Sequence, residues 1–485
     1  MIRRIKLKPI ALAALACACA AGCRTTENVL RDYEKNLSLG NYGGSTEELL
    51  ELADKNDGSE LLWRLMAAST LHLTNSREAD AIAHFDRAER VQQKNDQMSV
   101  FAQGGEGTFA MLTNDKVFSY DGGGLDRVFT CVYRAIDFLC TGDRENARVE
   151  FNRAAKYQRD WLDNRRKDID AAAKKLEADS AAYQKSKKTQ VADTSGPVNK
   201  AMADSSFGAQ IREKTGFDPA TSGRLDALSK SAYVNAYAAH LAGVFRWING
   251  DNEVGDLKLA AAVKPGDACI ARDYAECSRG GKPSNQVWIW VEDGLCPQRE
   301  EWRVDLPFVL IPYARRYVMY AGMALPVLRE RAYGATVWNA VAGGRSVPFT
   351  ELESVDRLTR TEYDVYMRGA LTREITRTLV RVGVQAGLGI AADHASDNRT
   401  KLALRLVQAG VAVWAASCTA ADIRSWTALP KRVMAVRLDR PADGVVQVVA
   451  GGQTIPVTVP EGNSLVFIRK PAPSAPPVVK MATFR

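Results

Sequence analysis

The feature that most constrains this chain is a change of hydrophobic period near residue 285. From 26 to 265 the apolar residues recur at helical spacing. From Asn285 onward they alternate, or run in short β-branched and aromatic stretches bounded by turn residues. The chain is therefore read as α+β: an α-helical N-terminal half followed by a strand-rich half with an inserted helical hairpin. The expected divisions are a leader over 1–22, a helical domain over 23–265, a β-rich domain over 266–470 and a flexible tail over 471–485. Inserted helices are expected near 362–417.

Three segments of the helical half share a pattern. Leu62 to Leu73 is followed by Asn75-Ser76 and then Ala81-x3-Phe85-x2-Ala88. Val128 to Leu139 is followed by Gly142-Asp143 and Ala147-x3-Phe151-x2-Ala154. Tyr233 to Trp247 is followed by Gly250-Asp251 and Gly255-x3-Leu259-x2-Ala262. A helix, a tight turn and a second helix with small residues beside a large one resembles a tetratricopeptide repeat. The turns lie 66 and 108 residues apart, so the repeats are dispersed by insertions rather than tandem. A plain helical bundle is the competing reading. One insertion, near 158–223, reads as a long charged helix from Gln158 to Lys188, then a Gly/Ser/Pro/Asp-rich linker over 193–223.

In the second half, Val287 to Val291 reads as a buried strand. Glu300–Leu306, Val318–Leu325 and Ala335–Ala342 read as further strands. Helices follow over Glu362–Ala392 and Lys401–Ser417, the first carrying Arg368, Arg373, Arg377 and Arg381. Gly383-x3-Gly387 matches a close-packing pattern of membrane helices, but the charges interrupt it, so a buried hairpin covering the sheet is expected. Lys431–Asp439, Val445–Ala450, Gln453–Val459 and Ser464–Arg469 read as four strands. Asp443-Gly444, Gly451-Gly452 and Glu461-Gly462-Asn463 separate them.

The N-terminus has the parts of a secretory leader. Arg3, Arg4, Lys6 and Lys8 precede an apolar run from Ile10 to Ala21, and Ala20-Ala21-Gly22-Cys23 closes it. This closure resembles a bacterial lipoprotein signal. The resemblance implies cleavage before Cys23, acylation of Cys23 and, with Arg24 rather than Asp next, an outer-membrane lipoprotein facing the periplasm. The net charge of +8 includes four leader cations and no leader acid, leaving a mature chain near +4. That is too weak for a nucleic-acid binder driven by phosphate attraction. Of nine cysteines, six lie beyond Cys23. Cys131 and Cys140 are about 13 Å apart on one helix and read as core residues. Cys269 and Cys277 fall in a Gly/Asp/Pro-rich connection, and a disulfide between them is expected.

No catalytic constellation emerges. His72, His84, His240 and His394 are not spaced for a zinc site with another His or Cys, and no metal or cofactor is expected. Glu300, Glu301 and Asp305 offer carboxylates, but on an alternating strand 300 and 301 diverge. An enzyme would need close, buried carboxylates near Glu300 or Glu351. The most distinctive motif is Asp422-Ile423-Arg424-Ser425-Trp426-x2-Leu429-Pro430. It reads as a clasp joining helix to sheet: Arg424 holds Asp422, Trp426 anchors in a pocket, and Pro430 precedes a strand. The same residues could form an interaction site.

With that motif, Glu292-Asp293-Gly294-x2-Pro297-x2-Glu300-Glu301, Asp305-Leu306-Pro307, and Asn114 with Tyr120, the chain resembles a family of bacterial lipoproteins. These combine a tetratricopeptide-like region with a C-terminal β region. The resemblance implies, by association only, a role near cell-wall synthesis. The anchor, the repeat-like helices and the missing catalytic constellation together lead to the expectation of a lipid-anchored periplasmic scaffold or adaptor that binds other envelope proteins. A small-ligand or glycan binder, seated between the two halves, is the alternative.

Overall fold

The structure, a computed structural model, describes residues 26–55, 58–102, 115–117, 119–160, 201, 204–217, 233–251, 254–307, 315–332 and 337–484. The leader, Cys23, Asn114 and the long charged helix beyond residue 160 lie outside the described residues.

The helical part comprises α1 (Thr26–Leu39), α2 (Thr46–Asp54), α3 (Glu60–His72), α4 (Glu78–Ala102), α5 (Gly124–Cys140) and α6 (residues 144–160). It continues with α7 (Ser205–Thr215), α8 (Ala236–Ile248), α9 (Gly255–Val263) and α10 (Ala268–Ser278). In α4 and α6 the triplets Ala81/Phe85/Ala88 and Ala147/Phe151/Ala154 are all buried, as the repeat pattern requires. The third copy departs from it. Leu257 and Ala260 are the buried residues of α9, while Leu259 is exposed. The register is set by Gly243 of α8: a Cβ there would lie 2.7 Å from Leu257 Cγ, so only glycine admits Leu257. The Gly142 and Gly250 turns have φ of 84° and 79°, which side chains resist.

The strands are β1 (Gln286–Asp293), β2 (Gln298–Asp305), β3 (Gly322–Arg329), β4 (Trp338–Ala342), β5 (Arg345–Pro348) and β6 (Thr350–Ser354). Two helices follow, α11 (Val355–Asp393) and α12 (Asn398–Cys418). The chain ends in β7 (Arg432–Asp439), β8 (Val445–Ala450), β9 (Gln453–Thr458), β10 (Asn463–Lys470) and β11 (Val478–Phe484). They form a central sheet in the order β11-β10-β1-β7-β6, a four-stranded sheet in the order β5-β4-β8-β9, and a β2–β3 ribbon. In the central sheet β1 runs parallel to β10; the other pairings are antiparallel.

Strand alternation explains why β1 is buried on both faces. Trp288 and Trp290 join Leu465, Phe467 and Phe484 in one core with the helices. Val287, Ile289 and Val291 join Val466, Val446 and Trp338 in a second core against the four-stranded sheet. The result is three layers: helices, central sheet, second sheet. A third core sets α7 and the first half of α11 on the β2–β3 ribbon through Phe207, Ile211, Met323, Leu325 and Tyr363.

Several expectations change. The helical and β-rich halves share a core, and α10 belongs with the helices rather than with the 266–470 unit. Residues 204–217 of the expected linker form α7, whose first turn is capped by Asp204 accepting from the Phe207 amide at 2.7 Å. The expected tail supplies β11, fully paired along β10. Cys269 and Cys277 are free thiols on α10. Eight residues of helix separate them by about 12 Å, beyond disulfide reach.

Candidate functional site

The Asp422–Pro430 segment is internal. Arg424 Nε and Nη2 grip Asp422 at 2.8 and 2.9 Å, and Nη1 donates to the Gly58 carbonyl at 3.0 Å. Trp426 Nε1 donates to Ser69 Oγ at 2.9 Å, and its ring meets Tyr133 edge-on at 5.8 Å. Pro430 is buried immediately before β7. These four residues clasp β7 to α3 and α5 and offer no open surface for a ligand. The carboxylates of β2 diverge: Glu300 pairs with Arg329 at 2.6 Å, and Glu301 with Arg303 at 2.8 Å. Glu351 is exposed and is not part of a buried pair.

Three buried polar clusters lie on the helix-facing side of the central sheet. In the first, Asp273 of α10 accepts from Arg437 Nη1 at 2.9 Å, from Trp288 Nε1 at 3.0 Å and from His240 Nε2 at 2.7 Å. His240 Nδ1 accepts from Trp290 Nε1 at 3.2 Å. Cys269 Sγ completes a group whose ligand atoms all lie within 4.8 Å of one another. The sequence hid this group because His240 is distant in the chain; Cys269-x3-Asp273 was its visible part. Its chemistry does not fit a metal. Both His240 nitrogens are engaged, Asp273 already faces a guanidinium, and a closed zinc site takes four ligands.

In the second cluster, Glu292 accepts from Tyr133 at 3.0 Å and Tyr237 at 3.1 Å, with Arg469 beside it at 3.6 Å. Burial raises the Glu292 carboxyl above its ordinary range, although Arg469 pulls it down. In the third, Lys480 of β11 meets Asp137 at 2.7 Å and Glu78 at 3.0 Å, and His72 Nδ1 bonds Asp137 at 2.9 Å. Desolvation lowers the Lys480 pKa, but Asp137 outweighs it and the net shift is upward. Each cluster pairs sheet residues with helix residues and is closed by its neighbours.

The α11–α12 hairpin is different. At its root, Asp115 lies between Arg373 at 2.7 Å and Arg377 at 2.6 Å, and Arg377 also pairs with Glu374. Burial would raise the Asp115 carboxyl, but the two guanidiniums hold it well below the usual range. Further out, the inward face mixes polar and small apolar side chains, with Val382, Ala386, Ala412 and Ala415 buried beside two glutamines. Gln385 and Gln408 are fully buried. Gln385 accepts from the Met319 and Tyr320 amides at 3.0 and 3.1 Å, and Gln408 donates to the Tyr317 carbonyl at 2.6 Å and the Gln385 carbonyl at 2.9 Å. Gly389 permits this approach, since a Cβ there would lie 2.6 Å from Tyr317 Cδ1.

The outward face is apolar. Leu402, Leu406, Val407 and Val413 of α12 are 54–68 % exposed, and Trp414, Val384 and Ile390 are 38–45 % exposed. A Cβ on Gly383, Gly387 or Gly410 would meet nothing within 4 Å. The expected hairpin therefore leaves large apolar side chains in solvent while burying two glutamines, unlike an ordinary surface helix pair. Among the described residues, no helix is long and apolar enough to cross a membrane.

A groove of about 400 Å³ opens between α1 and the strand-rich part, lined by Arg31, Glu34, Lys35, Arg329, Arg331 and Pro471–Pro473 among others. Comparison with protein families, curated proteins and solved structures finds no match to this chain.

Proposed function

We propose that the chain is a lipid-anchored periplasmic scaffold or adaptor of the cell envelope, held to the outer membrane by acylated Cys23 and binding other envelope proteins. The observation that carries this reading is the outward apolar face of α11–α12. Large apolar side chains exposed together along a helix of a folded chain mark an interaction site. The leader residues and the resemblance to the lipoprotein family supply the compartment and the association with cell-wall synthesis.

Two measurements test it. Cys23→Ala should shift the chain from the membrane fraction while its circular dichroism stays unchanged; an unaltered membrane fraction removes the anchor from the proposal. Crosslinking in intact cells, followed by purification of a functional tagged chain, should recover envelope proteins above background. Recovery of none rules out the adaptor role.

The groove beside α1 favours the second reading, a small anionic ligand or glycan. Arg31 and Lys35 line it with Arg329, which pairs with Glu300, and Arg331, which pairs with Glu34, and the volume suits a small molecule. That reading requires a peptidoglycan fragment to raise the Tm of the chain, with the rise lost in Arg31→Gln/Lys35→Gln.

A further inference from the structure

We propose that α12 pairs antiparallel with α12 of a second copy of this chain, about a two-fold axis passing at Gly410. The proposal deepens the scaffold reading and rests on it, by naming what covers the apolar face.

The first argument is the size profile along the exposed stripe. Any helix face recurs three, four and seven residues from its centre. Here the centre is Gly410, where an added Cβ would meet open space. Leu406 and Val407 lie on one side, Val413 and Trp414 on the other, with the small residues Ala403 and Ser417 beyond them. A two-fold contact is self-complementary. An antiparallel crossing at Gly410 sets Val407 beside Val413 of the second copy, and Leu406 beside its Trp414. The bulky pairs then flank a glycine-to-glycine crossing where the two backbones can approach.

Area is the second argument. The five exposed α12 side chains Leu402, Leu406, Val407, Val413 and Trp414, each 38–68 % exposed, leave on the order of 500 Å² of apolar surface per copy. Two copies would bury at most on the order of 1,000 Å², the threshold of a specific interface. The third argument is charge. Residues 382–392 and 406–418 contain no Asp, Glu, Lys or Arg, so self-contact sets no like charges together. A lipid surface fits less well. It gains nothing from a glycine at the crest of the stripe, where an added Cβ would meet open space.

The test is cysteine crosslinking of the full-length chain in membranes of cells that produce it. Gly410→Cys places a thiol at the proposed axis, in open space. A short bifunctional maleimide should raise the covalent dimer at least tenfold over the parent chain. Leu402→Cys lies eight residues off centre, so in an antiparallel pair its two copies are about 24 Å apart; because position 402 then faces Cys418 of the second copy, every variant and the parent carry Cys418→Ser, and this variant should stay at that parent's level. Val413→Asp added to Gly410→Cys should abolish the dimer with protein levels unchanged, which separates pairing from chance collision. Dimer from both cysteine variants would overturn the antiparallel axis. Dimer from neither overturns self-pairing, and quenching of Trp414 fluorescence by brominated lipid in that case assigns the face to the membrane. Capture of other envelope proteins is scored separately, so self-pairing and the adaptor role can fail independently.

Discussion

Trp426 shows how one side chain can join two regions of the chain. It is 2 % exposed, hydrogen-bonded to Ser69 and packed against Phe85 and Tyr133, so it ties the segment before β7 to three helices. Trp426→Ala should cost about 3–5 kcal/mol in urea unfolding, whereas Trp426→Phe should cost about 1–3 kcal/mol from the smaller ring and the lost bond to Ser69, whose hydroxyl still donates to the Leu65 carbonyl at 2.8 Å. Glu292 makes a prediction of a different kind. Burial raises its folded pKa above the ordinary value of 4.5, so the folded state holds the proton more tightly than the unfolded chain. Its contribution to stability is therefore greatest below pH 4.5 and falls as pH rises through the folded value. Glu292→Gln cannot ionise, and its unfolding free energy relative to the parent should improve between pH 4.5 and pH 7.5. A difference independent of pH would refute this account. Trp426 was legible as an anchor because it sits in a compact local motif. The cluster of His240, Cys269 and Asp273 was not, because a contact between distant helices leaves no spacing to read.

For the secondary elements, legibility followed turn chemistry. The strands from β7 to β10 were readable to within about a residue, because Asp443-Gly444, Gly451-Gly452 and Gly462 mark their turns and each glycine has positive φ. β11 was hidden behind Pro471, Pro473, Pro476 and Pro477, whose composition reads as a loose tail. α7 was hidden in a Gly/Ser-rich neighbourhood, although Phe207 and Ile211 repeat at helical spacing. The hairpin was found as two helices, but spacing alone does not say which face turns inward. Buried Gln385 and Gln408, set against exposed Leu402, Leu406 and Val413, depart from the usual assignment. Two glycines of one helix should consequently behave in opposite ways. Gly389→Ala places a Cβ 2.6 Å from Tyr317 and 2.7 Å from Gln408, and should destabilise by about 1–3 kcal/mol. Gly383→Ala meets open space and should stabilise by up to about 1 kcal/mol through helix propensity. Thermal unfolding of the two variants, measured side by side, checks both signs.

Over the whole molecule, the α+β class was legible, and the expected boundary at 265 fell within a shared core. Helices and central sheet bury one set of side chains, so both should unfold in a single transition by far-UV and tryptophan signals. Deleting residues 471–485 removes β11, exposes the edge of β10 and leaves Asp137 buried without Lys480. The truncated chain should lose that cooperative transition and become protease-sensitive, as limited proteolysis would show. The order of the central sheet also bears on synthesis. β1 lies between β7 and β10, which follow it in the chain by about 140 and 180 residues. While the chain is being made, Val287-Trp288-Ile289-Trp290-Val291 therefore has neither neighbour and remains an adhesive ribbon. The Tyr42 hydroxyl, just after α1, bonds the Pro476 carbonyl just before β11. A nascent copy can complete its sheet only after the last strand has emerged, so quality control could tell a finished molecule from an interrupted one by whether that ribbon is still accessible.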